Sequence, residues 1–311
     1  MTVKKILKTL LIVLAVLLLL VVIWLVYMNN TPTVKSGYTD NIETGGSIEK
    51  TYLSYGSYET ASVTVEAEKP MERYTVYYPS NLENGSQTYP VVLVTNGTGH
   101  RASKYAAMLE RLASWGFIVV GNEDAASGTG KGASLTLEYI LSENEDKNSR
   151  FYRKVDTENI GITGYSQGGA GAINAITAYE NSRYFKTAVL LSPAQEAVAV
   201  ENEYPYDSSA IHIPVLLLAG TSGWMETEYV LPLNQMEAMF DKISAPKLMA
   251  RRTGAEHETM MYLTDGYTTA WLMYQLQGDQ EASKAFVGGN AEICNNPYYQ
   301  DQKCQISEAN E

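Results

Sequence analysis

Short apolar runs alternate with amphipathic stretches from about residue 90 to residue 280. Continuous apolar runs predict buried strands, and apolar residues three or four apart predict helices. The predicted strands are Val91–Thr95, Phe117–Val120, Val155–Thr163, Ala188–Leu191, Pro214–Leu218 and Lys247–Arg252. The predicted helices are Ser103–Ser114, Ala133–Leu141, Ala170–Tyr179, Leu233–Ile243 and Gly266–Gln277. This alternation indicates an α/β fold with a mostly parallel sheet that helices cover on both faces.

Two stretches before this block, Tyr52–Glu66 and Arg73–Tyr78, alternate between apolar and polar residues. A period of two predicts strands, so we expect an antiparallel pair at one edge of the sheet. Residues 29–50 are rich in Thr, Asn, Gly and Ser and have no apolar period. Such a composition predicts a flexible linker. The folded domain is therefore expected to comprise residues 51–311.

The N-terminal segment Thr9–Met28 contains twenty residues without a charge. A helix of that length spans about 30 Å, which is the thickness of a bilayer core. Lys4, Lys5 and Lys8 precede it. The positive-inside rule then predicts that residues 1–28 form a cytoplasmic stub and a transmembrane anchor, with the domain outside the cell. A cleaved signal peptide is the alternative, but Met28–Pro32 offers no small-residue cleavage site, which favours an uncleaved signal anchor.

Composition and charge narrow the possible partners. The chain has 311 residues, of which 45% are hydrophobic, as in ordinary globular proteins. Its formal net charge is −12, and all residues beyond the N-terminal lysines carry 20 basic against 35 acidic side chains. Such a surface argues against nucleic acid as a partner, because phosphate binding needs a basic footprint. In a cytosolic protein the two cysteines, Cys294 and Cys304, would be expected to be free thiols or part of a metal site, whereas outside the cell they would be expected to form a disulfide that closes a short loop.

The stretch Gly164–Gly168 reads Gly-Tyr-Ser-Gln-Gly, between a predicted strand and a predicted helix. In that context the G-x-S-x-G pattern is typical of a nucleophile elbow, in which a serine sits on a sharp, strained turn with its hydroxyl exposed. The flanking glycines let the strand and the helix pass closely. The helix start also directs backbone N–H groups at any oxyanion that forms beside the serine. The pattern therefore predicts Ser166 as a nucleophile.

A serine nucleophile needs a general base, and the chain contains three histidines. His257 follows the last predicted parallel strand, so its position and the chain order serine, acid, histidine favour it as the base. His212 immediately precedes a buried strand and is interpreted as structural. His100 is interpreted as a pocket-lining or surface residue.

The acid that would orient the histidine is expected after the strand Pro214–Leu218. No aspartate occurs there, and Glu226 is the first carboxylate, followed by Glu228. Glutamate can perform this task, which is to hold the imidazole tautomer and stabilise its positive charge. Glu196, after the preceding strand, is a further candidate. The sequence favours Glu226 and leaves the other two open.

The remaining site residues follow from their loops. An oxyanion hole needs the N–H of the residue after the nucleophile and a second N–H from an earlier loop. Gln167 supplies the first, and Thr98, in a glycine-bearing loop, is the candidate for the second. Tyr165, Trp224 and Met225 are expected to line an apolar substrate pocket.

Taken together, these stretches resemble the α/β-hydrolases of the bacterial cutinase and polyester-hydrolase type, with related lipases and dienelactone-hydrolase-like esterases. The likeness covers about Thr51 to Cys304. The matching stretches are Val91–Thr98, Arg111–Val120, Gly164–Gly169, Ile213–Gly220, Gly254–His257, Ala270–Leu272 and Gly278–Asp279. The resemblance implies a single α/β-hydrolase domain without a large lid, an open groove and hydrolysis of esters without metal or cofactor.

Residue by residue, the resemblance places Ser166 and His257 on the family's nucleophile and base, and Thr98 and Gln167 on its oxyanion donors. The pair Cys294 and Cys304 looks like the family's terminal disulfide. The sequence departs at the acid, where an insertion around Gly223 and Trp224 leads to a glutamate instead of aspartate.

The protein is thus expected to be a membrane-anchored extracytoplasmic serine hydrolase that cleaves carboxylic esters. Its anchor favours a substrate at the cell surface. A non-catalytic binding or cell-envelope protein on the same fold is one alternative, because fold alone does not fix function. An acyltransferase on the same fold is another.

Overall fold

The computed structural model describes residues 3–306, without the side chains of residues 3 and 25–30. The chain divides into two compact units between Thr33 and Val34. The first unit consists mainly of one helix, α1 (Val3–Asn30). Its segment Lys4–Trp24 has a mean hydropathy of 3.2 and no side chain buried within the protein. The helix is therefore long and apolar enough to cross a membrane, a property that it shares with signal sequences.

One nine-stranded sheet organises the described residues of the second unit. Its strands are β1 (Thr60–Glu66), β2 (Arg73–Pro79), β3 (Tyr89–Thr95), β4 (Ile118–Asn122), β5 (Val155–Tyr165), β6 (Phe185–Leu191), β7 (Val215–Gly220), β8 (Lys247–Arg252) and β9 (Tyr299–Gln305). Their order is β1-β2-β4-β3-β5-β6-β7-β8-β9. The block from β4 to β8 is parallel, while β1 and β2 at one edge and β9 at the other are antiparallel. The predicted antiparallel pair at one edge is confirmed.

Helices cover both faces of this sheet. They are α2 (Ser47–Leu53), α3 (Ala106–Ala113), α4 (Lys131–Glu145), α5 (Gln167–Thr177), α6 (Glu196–Glu201), α7 (Leu233–Lys242), α8 (Asp265–Gln277), α9 (Gln280–Ser283) and α10 (Glu292–Asn295). Along β3, Val91 and Leu93 face the core under α4, α5 and α7, whereas Val92 and Val94 face the core under α3 and α8. Alternate residues of a strand point to opposite faces, so a continuous apolar run serves both cores. The predicted mostly parallel sheet between helices is confirmed.

The prediction of a flexible linker over residues 29–50 is wrong from Val34 onward. Val34, Tyr38, Ile48 and Glu49 are buried, and the last two lie in α2. The Tyr38 hydroxyl donates a hydrogen bond to the buried carboxylate of Asp265 in α8. These contacts are made by single aromatic, apolar and acidic residues scattered among polar ones, which leaves no periodic signal in the sequence. The folded unit accordingly begins at Val34 instead of residue 51.

The predicted disulfide is not formed, and that expectation is corrected. Cys294 in α10 and Cys304 in β9 are both exposed free thiols. The Cys304 thiol donates a hydrogen bond to the carbonyl oxygen of Phe286 instead, with 3.2 Å between the sulfur and the oxygen. Burial raises the pKa of the Cys294 thiol and the neighbouring Cys304 raises it further, so the two thiols lie near each other without a bond between their sulfur atoms.

Candidate active site

The strand β5 and the helix α5 meet in a sharp turn at Ser166. This residue has φ 58° and ψ −124°, a backbone conformation that is strained for any residue except glycine. The two glycines around it are required because a side chain at either position would clash with the neighbouring backbone. A Cβ atom built on Gly164 would lie 2.2 Å from the carbonyl oxygen of Gly168, and one built on Gly168 would lie 2.3 Å from that of Thr95. The sequence pattern therefore forms the tight elbow that it predicts, with the hydroxyl of Ser166 partly exposed.

His257 stands between Ser166 and Glu226. Its Nε2 atom lies 2.9 Å from the Ser166 hydroxyl oxygen, and its Nδ1 atom lies 2.7 Å from Oε2 of Glu226. The imidazole is 8% exposed and belongs to a 3₁₀ turn, His257–Met261, that follows β8. With the carboxylate ionised, Nδ1 carries the proton and its N–H donates a hydrogen bond to Oε2. Nε2 is then free to accept the serine proton, which is the arrangement that activates a hydroxyl as a nucleophile.

Glu226 reaches the histidine from a π-helical turn, Met225–Val230, which follows β7. Its side chain is 0% exposed. The second carboxylate oxygen, Oε1, accepts a hydrogen bond of 2.6 Å from the Ser192 hydroxyl and another from the backbone N–H of Gly220. The carboxylate is thus fixed on both oxygens, with one directed to the histidine. Sequence reasoning missed Ser192, whose position directly after the end of β6 was the available signal.

The two other candidate acids lie elsewhere. Glu228 is exposed, two residues further along the π-helical turn. Glu196 begins α6, where it accepts hydrogen bonds from Ser208 and pairs with Lys242. Partial burial raises the pKa of Glu196, but the hydrogen bonds from Lys242 and Ser208 outweigh this effect and lower it overall. Neither carboxylate contacts His257, so the geometry brings Glu226 alone of the three to the imidazole.

The predicted oxyanion donors flank the serine. Gln167 is the first residue of α5, and the N–H groups of a first helical turn have no partner within the helix. Thr98 is exposed in the loop after β3, and both it and Ser166 line the same cleft. His100 reinforces this loop, because its Nδ1 atom lies 3.1 Å from the carbonyl oxygen of Thr98. His212, in contrast, is exposed before β7 and lies outside that lining.

The cleft in front of Ser166 has a volume of about 290 Å³. Apolar, aromatic and polar side chains line it together. The residues that line it besides Ser166, Thr98, His100 and His257 are Tyr165, Ala194, Val198, Asn202, Tyr204, Met225, Tyr229, Val230 and Glu258. Tyr165 and Met225 therefore lie where the sequence predicts. Trp224 does not, since it is 67% exposed outside the lining and stacks on Tyr229, with ring centroids 5.8 Å apart.

Tyr165 packs between two histidines at the floor of the cleft. Its ring centroid lies 4.9 Å from that of His257 and 5.8 Å from that of His100, the latter edge to face. Burial raises the pKa of the Tyr165 hydroxyl, and the nearby carboxylate of Glu226 raises it further. The phenol is therefore neutral at physiological pH. It gives the imidazole a flat, uncharged surface to pack against.

A serine on a strand-to-helix elbow, with a histidine and a carboxylate from the loops after later strands of a mostly parallel sheet, defines the α/β-hydrolase fold class. The family can be stated more narrowly. A sequence model of the PET hydrolase-like (PETase) family matches residues 43–304, and the chain belongs to that family. The resemblance that the sequence motifs predicted is confirmed.

Individual relatives are similar over a shorter part of the chain. Cutinase est1 of Thermobifida alba is 26% identical over 124 residues, which are 38% of this chain and 38% of that protein. Cutinase 2 of Thermobifida cellulosilytica is 28% identical over 125 residues, 38% of this chain and 44% of its own length. Cutinase cut1 of Thermobifida fusca is also 28% identical over 125 residues, 38% of this chain and 36% of its own length. The match thus spans less than half the length of these cutinases.

Proposed function

We propose that the protein is a serine hydrolase that cleaves carboxylic esters through a covalent acyl-enzyme. The observation that carries this proposal is the continuous chain of contacts from Ser166 to His257 to Glu226, with 2.9 Å and 2.7 Å between the paired atoms. Membership of the PET hydrolase-like family and the similarity to proteins named cutinases favour an ester as the substrate. Ala194, Val198, Met225 and Val230 give the cleft beside the serine an apolar part that suits an acyl or alcohol group of low polarity.

In the proposed mechanism, the Ser166 oxygen attacks the ester carbonyl carbon while Nε2 of His257 takes the hydroxyl proton. Glu226 stabilises the imidazolium that forms and keeps its Nδ1 proton in place. The imidazolium then gives its proton to the leaving alcohol, and the acyl group stays on the serine. Water, deprotonated by the same Nε2, attacks the acyl carbon and releases the acid.

The negative charge that develops on the carbonyl oxygen needs donors that are already in place. We assign this task to the backbone N–H groups of Gln167 and Thr98. Gln167 lies at the start of an eleven-residue helix, and the partial positive charge at the N-terminus of that helix adds to the effect of the hydrogen bond. Losing one such donor typically costs about 10²- to 10³-fold in kcat. The position of these donors in the elbow and in the facing loop is what supports the assignment.

A fluorophosphonate probe tests the nucleophile directly, because it forms a stable bond only with an activated serine. The full-length chain, purified in detergent, is expected to be labelled, with the added mass on the peptide that contains Ser166. A Ser166→Ala variant is expected to take up no label. A folded wild-type protein that stays unlabelled would contradict the proposal and favour a non-catalytic binding role on the same fold.

We further propose that α1 anchors the protein in the cell membrane as an uncleaved signal anchor, with the N-terminus in the cytoplasm and the catalytic unit outside. The apolar segment Lys4–Trp24 and the lysines at its start, Lys4, Lys5 and Lys8, support this orientation. Ester substrates at the cell surface or in the surrounding medium would then be within reach.

Protease treatment of intact cells tests this orientation. With an epitope at each end of the chain, the protease is expected to remove the C-terminal epitope and leave the N-terminal one protected. Lysed cells, in which both epitopes should be digested, provide the control. A C-terminal epitope that survives in intact cells would contradict the proposed topology, and a released catalytic unit without the N-terminal epitope would indicate cleavage.

A further inference from the structure

Ser192 holds the carboxylate that orients the histidine. Its hydroxyl donates a 2.6 Å hydrogen bond to Oε1 of Glu226, while Oε2 of the same carboxylate contacts Nδ1 of His257. We propose that Ser192 is a positioning residue for catalysis, which fixes the Glu226 carboxylate in the place where it orients the histidine. The proposal rests on the proposed function, because it concerns the same chain of proton transfer.

The first argument is burial. Glu226 is 0% exposed, so its carboxylate has exchanged water for protein donors. An ionised carboxylate in such a place stays charged only if hydrogen bonds replace the lost solvation. Among the described residues, Oε1 receives these bonds from the backbone N–H of Gly220 and the hydroxyl of Ser192. Apart from the histidine, Ser192 is therefore the side chain that holds this buried carboxylate in place.

The second argument is the backbone of Ser192. This residue is 0% exposed and has a φ of 42°, which is rare for a residue with a side chain. Strain of this kind persists where the surroundings over-determine the conformation, and it is concentrated at functional sites. Here the Ser192 N–H donates to the carbonyl oxygen of Leu218 in β7, at 2.7 Å. The strained conformation thus directs the hydroxyl to the carboxylate from a fixed position.

The same loop also contacts the nucleophile elbow. The Ser166 N–H donates to the carbonyl oxygen of Leu191 at 2.9 Å, and the Ala194 N–H donates to the carbonyl oxygen of Ser166 at 3.2 Å. Leu191 and Ala194 are therefore hydrogen-bonded to Ser166, while the side chain of Ser192 between them is hydrogen-bonded to Glu226. One short loop fixes both ends of the proton-transfer chain relative to each other.

The third argument is the length of the acid. Glu226 follows Gly220, the last residue of β7, by six positions, on a turn with π-helical hydrogen bonding. A glutamate has one more rotatable bond than an aspartate, so more rotamer freedom must be removed to hold its carboxylate in one place. A second anchor on Oε1 removes that freedom. The Ser192 hydroxyl, together with the Gly220 N–H, thus lets a glutamate from this turn serve as a well-positioned acid.

Two substitutions in the full-length chain test the proposal. Ser192→Gly removes the hydroxyl, and glycine adopts a positive φ without steric cost, so the backbone strain is relieved. Ser192→Ala removes the same hydroxyl and keeps the strain. Both variants are expected to lower kcat for a soluble chromogenic ester by about 10- to 100-fold, with KM little changed, because a hydrogen bond to a charged group is lost.

A double-mutant cycle separates positioning from general damage. In a Glu226→Gln background, Ser192→Gly is expected to change the rate of fluorophosphonate labelling by less than about twofold, since the charged partner is absent. An equal loss of labelling rate when Ser192→Gly is introduced into the wild type and into Glu226→Gln would overturn the proposal, as would a wild-type kcat in the two single variants. Failure of the proposed function itself looks different, because the wild-type chain would then take up no label.

Discussion

Replacement of Ser166 by alanine is expected to lower kcat for ester hydrolysis by about 10⁶-fold, the loss that follows removal of the nucleophile from a serine hydrolase. Without the hydroxyl no acyl-enzyme can form, and only the oxyanion donors and the cleft remain to assist the attack of water on the ester. Alanine keeps the Cβ atom and removes only the partly exposed hydroxyl, so the elbow should stay folded. Steady-state kinetics of the detergent-purified chain with a soluble chromogenic ester measure the effect.

A matched control is Ser80→Ala. Ser80 is exposed directly after β2 and lies outside the cleft, so the kcat of the Ser80→Ala variant should equal that of the wild type. Thermal unfolding of both variants checks that they are folded. If Ser166→Ala kept more than about a hundredth of the wild-type kcat, well above the residual rate expected without a nucleophile, another group would have to perform the attack.

The sequence predicted the elbow and the histidine because each depends on a local pattern. Gly164 and Gly168 are required by contacts within a few residues or with the adjacent strand, so the short motif carries the information. His257 follows the last parallel strand, so it lies at the carboxyl ends of the parallel strands, as Ser166 does. Because parallel strands end at one edge, residues far apart in sequence can be assigned to one site.

The acid was harder to predict, because the turn that presents it has no sequence signature. Glu226 and Glu228 are two residues apart, and a sequence pattern does not show which of them points inward. The structure shows π-helical bonding, in which the Leu231 N–H donates to the carbonyl oxygen of Glu226 at 3.1 Å. A single π turn is too short to produce a periodic pattern, and such turns are rare outside functional sites. The inward direction of Glu226 is a result of this geometry.

The errors also have a common physical origin. The segment around Tyr38 and Glu49 was predicted as a linker since it is polar, yet its few buried side chains bind polar partners in the core. Trp224 was expected in the pocket from its loop, but the turn directs it outward onto Tyr229. Ser192 was overlooked because its role depends on a backbone conformation with positive φ. In each case the decisive contact joins residues that are distant in sequence or depends on a dihedral angle that composition does not encode.

Replacement of Glu226 by glutamine is expected to lower kcat by about 10⁴-fold, the effect of turning the orienting acid of such a site into an amide. The NH2 of an amide directed at Nδ1 can donate a hydrogen bond to it, so the imidazole would keep its own proton on Nε2. That nitrogen could then no longer accept the proton of the Ser166 hydroxyl. Glutamine has nearly the same size and shape, so a large loss would reflect the charge and the tautomer more than packing.

Glu228→Gln is the control for this prediction, because it makes the same change two residues along the turn at an exposed position. Its kcat should stay within about twofold of the wild type, since surface substitutions away from a site usually have small effects. A loss of less than tenfold in Glu226→Gln would mean that the carboxylate contacting His257 does not orient it. A large loss in Glu228→Gln would instead move the acid to that position, which requires the π-helical turn to present a different residue to the histidine in solution.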